Sequence, residues 1–253
     1  DNPEIIYGGT YQGNLDKWEA KSRESKPSKE YPELGLSIAP KDSKYRYNWN
    51  APIITSPHDR YTIYHAGNVV FKTTNGGQNW DVVSPDLTRS DPEKLKSSGG
   101  PITQDNTSVE YYCTIFAAQE SPLKEGLLWV GSDDGLIHVT QDGGKTWDNV
   151  TPKGMPEWMM INSIEPSHFD PAVCYVAGTK YKTGDFAPYL YKPSDYGKTW
   201  KKITDKEGFP KGNLGRIGVA IAANKPIITT TIMISTRVKP FLDIMFFFII
   251  FFN

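Results

Sequence analysis

A short segment with a fixed pattern recurs three times along this chain. The copies read TTNGGQNW, TQDGGKTW and PSDYGKTW, and they span Thr73–Trp80, Thr140–Trp147 and Pro193–Trp200. Each has Asn or Asp at its third position, Gly at its fifth and Trp at its eighth. We call these segments the boxes. A segment that recurs at long, similar intervals predicts a repeat protein in which each copy belongs to one structural unit.

The side chains of the boxes fit a tight turn. An Asn or Asp side chain can accept a hydrogen bond from the backbone N–H two residues on. Gly supplies a backbone conformation that a Cβ atom disfavours, and Trp is expected to start an outer strand and pack inward. The residues to which we assign this structural role are Asn75, Gly77, Trp80, Asp142, Gly144, Trp147, Asp195, Gly197 and Trp200. Nothing in this pattern requires catalysis.

A second repeat, an apolar run with an aromatic residue and a closing Gly, precedes each box. Its aromatic positions Tyr7, Tyr64, Trp129 and Tyr175 are 57, 65 and 46 residues apart. The third and fourth units each contain four short runs of β-branched and aromatic residues, separated by turn residues. The first run of the third unit, VEYYCTIFAA, begins at Val109. Four strands per repeat of this length predict an all-β fold, a β-propeller of four-stranded antiparallel blades with Asp-box turns.

The repeats divide residues 1–223 into about four blades, which is an incomplete propeller. We expect units at about 1–47, 48–105, 106–157 and 158–213, with the start of a further unit at 214–223. The first unit has no box and is expected to be degenerate. With about four blades, the first of them incomplete, the chain cannot close a propeller ring alone, so we expect a fragment of a longer protein, whose remaining blades are its partners.

Residues 224–253 interrupt the repeat with a different composition. Their last apolar run, MFFFIIFF, is far shorter than the roughly 20 apolar residues that a membrane-spanning helix needs. We therefore expect no membrane span, and we interpret this segment as an anomalous apolar tail that is not native propeller sequence.

Charge and cysteine content exclude several classes of function. The formal net charge is −1, with 28 basic and 29 acidic residues, which gives no electrostatic basis for binding nucleic acid. Cys113 and Cys174 each lie in an apolar run, and they are expected to be free and buried or, alternatively, joined in a disulfide. No metal-ligand spacing and no cofactor motif is present, so we expect neither a metal nor a cofactor.

One segment, QDNTSVEYYC, carries the candidate site residues. Asp105 and Glu110 precede an expected innermost strand, where two carboxylates could flank a glycosidic bond. Tyr111 and Tyr112 could stack on sugar rings, and Asn106 could bind the same ligand. A second acidic pair, Asp133 and Asp134, lies in GSDDG, where turn formation is the simpler interpretation.

Longer stretches around the boxes resemble large bacterial Asp-box propeller proteins. The runs GNVVFKTTNGGQNWDVVSPDLT, LWVGSDDGLIHVTQDGGKTWDNVTP and PYLYKPSDYGKTWKKI carry this resemblance, which covers roughly residues 1–223. Such proteins are described as BNR-repeat glycosyl hydrolases or as sortilin (VPS10)-like proteins. The resemblance implies a secreted, periplasmic or cell-envelope protein with one or two propellers.

Two functions remain open at this point. The first is a non-catalytic propeller scaffold that binds a polypeptide or a glycan through its loops. The second is a glycoside hydrolase of the BNR-repeat type acting on a polysaccharide. Because the visible residues do not assemble a catalytic set, the sequence favours the binding function.

Overall fold

The computed structural model of the chain describes residues 3–205, 209, 217–221 and 230–234. In chain order the strands are β1 (Ile5–Thr10), β2 (Asn14–Glu19), β3 (Glu24–Pro27), β4 (Ile53–Thr55), β5 (Ile63–Ala66), β6 (Val70–Thr73), β7 (Asp81–Val82), β8 (Ser98–Gly99), β9 (Gln104–Asp105), β10 (Ile115–Glu120), β11 (Leu128–Ser132), β12 (Ile137–Thr140), β13 (Asp148–Asn149), β14 (Met160–Pro166), β15 (Cys174–Lys180), β16 (Asp185–Pro193), β17 (Trp200–Lys202), β18 (Ile217–Ile221) and β19 (Thr230–Ile234). Short 3-10 helices at Tyr11–Gly13, Pro40–Asp42 and Tyr181–Thr183 lie in the connections.

Strands that follow one another in the sequence pair antiparallel within each sheet. Blade 1 contains β1-β2-β3, blade 2 contains β4-β5-β6-β7, blade 3 contains β10-β11-β12-β13 and blade 4 contains β14-β15-β16-β17. The short hairpin β8-β9 lies between blades 2 and 3. These sheets confirm the predicted all-β fold of four-stranded antiparallel blades, with blade 1 present as three strands.

The pattern of burial across a blade explains which residue types occur in its strands. The central strands β5 and β11 are buried at every residue, because both faces of each sheet pack against other parts of the protein. The outermost strands β7 and β13 are exposed and only two residues long. Apolar runs therefore occupy the middle of a blade and polar pairs its rim.

The core consists of layers between successive blades. Tyr64 and Val70 of blade 2 pack in one cluster with Ile115 and Val130 of blade 3. Trp129 of blade 3 belongs to a second cluster that includes residues of blade 4 such as Ile161 and Val176. Because blade 3 packs against blade 2 on one side and blade 4 on the other, these sheets form the face-to-face series of a β-propeller.

The box turns close on their own Asn or Asp, but over a longer span than predicted. Asp142 accepts hydrogen bonds from the backbone N–H of Thr146 at 2.9 Å and from its hydroxyl at 2.7 Å. Asp195 accepts the same two bonds from Thr199. The prediction that the donor is the N–H two residues on was wrong, because the donor is the N–H four residues on. These bonds, led by that from the Thr146 hydroxyl, lower the pKa of Asp142.

Each box also joins its blade to the preceding blade. The indole N–H groups of Trp80, Trp147 and Trp200 donate to the carbonyl oxygens of Ser28, Val83 and Val150 at 2.7, 2.8 and 2.7 Å. Each acceptor is the first residue after the outermost strand of the blade before it. The predicted inward packing of these indoles therefore takes place between blades.

Blade 3 begins later than the sequence pattern predicts. Its first strand starts at Ile115, whereas the expected strand began at Val109. Cys113, two residues before β10, has a φ of 58°, a left-handed conformation that lies outside the β region of a regular strand. The backbone therefore turns at Cys113 before it enters the sheet.

The predicted tail lies mostly outside the described residues. Its described part, β19, pairs antiparallel with β18, which precedes the tail. Residues 224–229 and 235–253 lie outside the description, so the non-native origin of the tail stays a prediction.

Box glycines provide a test of the contact between blades. A Cβ atom on Gly144 would lie 2.5 Å from the Val83 carbonyl oxygen, whereas one on Gly143 meets nothing within 4 Å. Both residues have positive φ, so an Ala at either costs about 1 kcal/mol of backbone strain. We expect Gly144→Ala to lower the free energy of unfolding by a further ~1–3 kcal/mol. Urea denaturation of the two variants measures the difference, and equal losses would show that the close approach is unimportant.

Candidate functional site

The antiparallel order of the strands divides the connections between two faces. All three boxes connect the third strand of a blade to its fourth, so they lie on one face, which we call the box face. The opposite face, which we call the site face, gathers two other kinds of connection. One kind joins the second strand to the third, and the other joins the fourth strand to the next blade. Long connections of this kind usually carry the binding residues of a rigid scaffold.

A cavity of about 360 Å³ opens between blades 3 and 4, and connections of the site face form much of its wall. We call it the site pocket. Lys94, Tyr112, Asp133, Trp158, Met160 and the segment Thr179–Thr183 line it. Its volume lies in the range of pockets that hold small ligands.

Two aromatic rings form one wall of the site pocket. The ring centroids of Tyr112 and Trp158 lie 6.2 Å apart, with an angle of 27° between the ring planes. Trp158 has a φ of 59°, which costs a bulky residue roughly 1–3 kcal/mol. A strained backbone that positions a half-buried aromatic ring at a cavity is an arrangement found at binding sites.

Cations surround the same indole. The Arg89 guanidinium carbon lies 4.9 Å from the Trp158 ring centroid, and the Lys94 ammonium lies 5.5 Å from it. Arg89 is held in place by Asp134, whose side chain accepts from the Arg89 backbone N–H at 2.7 Å and whose carbonyl accepts from Nε at 2.8 Å. Asp134 is fully buried, and its hydrogen bonds keep Arg89 beside the Trp158 ring.

The Asp133 carboxylate joins two connections of the site face. It accepts hydrogen bonds from the Thr114 backbone N–H and hydroxyl, both at 2.9 Å, and from the Asn48 amide at 3.2 Å. Only 3% of Asp133 is exposed. Burial raises its pKa to about 7, the Asp134 charge adds to the rise, and the three hydrogen bonds oppose it. Asp133 therefore carries a proton much of the time near neutral pH.

The residues nominated from the sequence lie in different surroundings. Asp105, on β9, and Glu110 are exposed, and Asn106 is buried with its amide donating to the Ser97 hydroxyl. Tyr111 is 6% exposed and its hydroxyl donates to the Ile38 carbonyl, so its ring offers little surface to a ligand. Tyr112 lines the site pocket. The candidate roles of these five residues stay predictions.

The sequence interpretation missed Trp158 and the lysines of the pocket. One signal for Trp158 was available, because an aromatic residue precedes the first strand of each of blades 2, 3 and 4, as Trp49, Tyr112 and Trp158. A left-handed backbone at Trp158 leaves no such signal, since the residue is neither Gly nor Asn.

Arg46 fixes the connection that leads to Tyr112. Its Nε donates to the Cys113 carbonyl at 3.2 Å, and its terminal nitrogen pairs with Asp86 at 2.6 Å. Cys113 and Cys174 are free and buried, which is the first of the two predicted states. Burial raises the pKa of the Cys113 thiol to about 12 and also raises that of Cys174, so neither is a ready nucleophile.

Within the described ranges, no group of three or more His, Cys, Asp or Glu side chains is placed to hold a metal ion. In the same part of the chain, no helix is long and apolar enough to cross a membrane.

Solved structures of two glycoside hydrolase family 74 (GH74) enzymes are similar to this chain. A xyloglucanase from Xanthomonas campestris aligns with 92% of the chain at 13% identity and a TM-score of 0.54. An enzyme from Niastella koreensis aligns with 92% at 13% identity and a TM-score of 0.56. The chain covers 35% and 32% of these two proteins, about a third of their length. At such low identity the likeness shows the β-propeller fold alone.

A YCF48 structure with a bound D1 peptide also aligns, over 92% of this chain and 59% of its own. Its identity is 16% and its TM-score is 0.49, too low to carry an argument. No family model matches the chain, and no curated protein sequence matches it.

The raised pKa of Asp133 predicts a specific effect of pH on stability. The folded protein holds this proton more tightly than the unfolded chain between about pH 4 and about pH 7. The stabilisation is complete below this window and is lost as the pH rises through it. Relative to Asp133→Asn, the wild-type free energy of unfolding should therefore fall from pH 4 to pH 7. Urea denaturation at several pH values measures it, and a constant difference would contradict a raised pKa.

Proposed function

We propose that this chain is a non-catalytic propeller scaffold that binds a glycan or a polypeptide in the site pocket. The observation that carries the proposal is the wall formed by Tyr112 and Trp158, where strained backbone holds an aromatic ring at a cavity. Aromatic rings supply large contact areas to ligands at little cost in side-chain entropy.

The carboxylates near the pocket support binding over catalysis. A glycosidase needs two carboxyl groups about 5–10 Å apart on either side of the bond that breaks. Among the described residues, Asp133 is the one acid that lines the site pocket, and three donors already engage it. Its neighbour Asp134 is fully buried and bound to Arg89 and Ser132.

A glycoside hydrolase acting on a polysaccharide is the second candidate function. It is favoured by the pKa of Asp133, since a carboxyl group with a pKa of about 7 suits general acid catalysis near neutral pH. The second carboxyl group would then come from outside the pocket, for which Asp105 and Glu110 are the nominated residues.

We also propose that the chain belongs to the Asp-box, BNR-repeat propellers that include sortilin (VPS10)-like proteins, and that it acts in the secreted, periplasmic or cell-envelope space. The three boxes and the sequence around them support this assignment. The proposed units at 1–47, 48–105, 106–157 and 158–213 each contain one blade, and further blades of a parent chain would complete the propeller.

Removing the Trp158 ring tests the binding function. The variant Trp158→Gly loses the aromatic surface but relieves the left-handed strain, so we expect its free energy of unfolding to change by less than about 1 kcal/mol. We expect binding of the 253-residue chain to a glycan array or a peptide array to weaken at least about tenfold. Phe169→Ala, on the box face, is the matched control because that ring is 49% exposed and lies between β14 and β15. Ligands retained equally by both variants would contradict the proposed site.

A hydrolysis assay separates the two candidate functions. We expect the chain to release no sugar from plant or bacterial polysaccharides, because the described lining of the pocket provides one carboxyl group where the reaction needs two. Release of reducing sugar that disappears in Asp133→Asn, or in Asp105→Asn or Glu110→Gln, would establish the hydrolase instead.

A further inference from the structure

The site pocket has a charge unlike that of the whole chain. Lys94, Lys180 and Lys182 line it, and Arg89 stands over the Trp158 ring at its wall. The chain as a whole has a formal charge of −1. Positive charge is therefore concentrated at a cavity in which Asp133 is the single acidic lining residue within the described part of the chain.

Among the described residues, no salt bridge within 4.0 Å joins Lys94, Lys180 or Lys182 to a carboxylate. The Asp185 carboxylate, on the strand that pairs with Lys180, interacts electrostatically with Lys180 without a salt bridge, and it accepts hydrogen bonds from the Tyr189 hydroxyl at 2.6 Å and from the Ala187 N–H at 2.9 Å. Asp133 is buried and bound by Thr114 and Asn48. The ammonium groups thus remain able to pair with an anionic ligand.

The local fold presents two of the lysines at the mouth of the pocket. Lys180 ends β15, and Lys182 lies in the 3-10 helix that follows it. Gly184, with a φ of 82°, ends that helix and turns the chain into β16. Lys182 is exposed, whereas Lys180 is half-buried like Tyr112 and Trp158, so one charge lies at the rim of the pocket and the other beside the aromatic rings.

Aromatic rings beside unpaired cations fit one ligand chemistry well. The C–H face of a sugar ring packs on an aromatic ring, and a carboxylate or sulfate on that sugar pairs with lysine. A cavity of about 360 Å³ accommodates one or two sugar rings, whereas an extended peptide needs a longer groove or a strand edge.

From this arrangement we infer that the site pocket binds an acidic glycan, with Tyr112 and Trp158 contacting the sugar and Lys180 and Lys182 pairing with its anionic substituent. The inference rests on the proposed binding function of the same pocket. It names the ligand class and distinguishes it from the neutral polysaccharide on which a xyloglucanase acts.

The test uses the 253-residue chain and four defined probes in isothermal titration calorimetry. The probes are a galacturonic acid trimer, a sulfated galactose trimer, a neutral galactose trimer and a glutamate trimer. We expect one or both anionic sugars to bind at least about tenfold more tightly than the neutral trimer. We also expect their binding to weaken as salt screens the lysines. The sulfated and carboxylated probes show which anion the pocket prefers.

Two double variants provide the matched comparison. Lys180→Gln with Lys182→Gln should weaken binding of the anionic sugar about tenfold or more, and Trp158→Gly should weaken it as well. Lys145→Gln with Lys198→Gln removes two exposed charges from the boxes of blades 3 and 4 and should leave binding unchanged.

The possible failures of the two proposals differ. Equal binding of the neutral and acidic sugars, lost in Trp158→Gly but kept in the lysine variant, would overturn the acidic-glycan inference and leave the binding function intact. Preferential binding of the glutamate trimer would overturn it in favour of an acidic peptide. Absence of any binding that depends on Trp158 would reject both the inference and the proposed site.

Discussion

The hydrogen bond from each box tryptophan to the blade before it is the contact on which the rest of the structure depends. The acceptor is in every case the residue directly after an outermost strand, namely Ser28, Val83 or Val150. The box glycine approaches the same residue so closely that a Cβ atom would collide with it. One point on the rim of each blade thus receives both contacts. Because exposed outermost strands of two to four residues bury little apolar area, this polar contact fixes the rim where hydrophobic packing is weak.

The fold could be predicted because its determinants are local. A Gly and an Asx residue at fixed offsets from a Trp specify a turn, and that turn recurs once in each of blades 2, 3 and 4. The start of β10 could not be predicted in this way. Residues Val109–Tyr112 have the composition of a strand, but the Tyr111 hydroxyl bonds to the distant Ile38 carbonyl and Cys113 adopts a left-handed backbone. Contacts distant in sequence override local propensity there.

The candidate site was only partly visible in the sequence for the same reason. Tyr112 could be nominated because the sequence predicts it near the start of an innermost strand. Trp158 belongs to the site through a left-handed backbone conformation that the adjacent residues do not indicate. From the sequence, the simpler interpretation of Asp133 and Asp134 is that they form a turn. In the structure, one joins two connections of the site face and the other anchors Arg89. A turn alone would leave such an acidic pair in solvent, whereas here both residues are buried at the pocket.

The box face carries contacts that stabilise the blades, whereas the site face carries the candidate binding residues. Of the non-glycine residues with positive φ in the described ranges, Arg23 and Tyr196 lie in turns between a third and a fourth strand, on the box face. The others, Gln12, Ser37, Ser90, Ser108, Cys113 and Trp158, lie in connections of the site face. Strained conformations persist only where the surrounding structure determines them. The surroundings of Trp158 on the site face include the Tyr112 ring and the Arg89 guanidinium, and Arg89 is itself held by the buried Asp134.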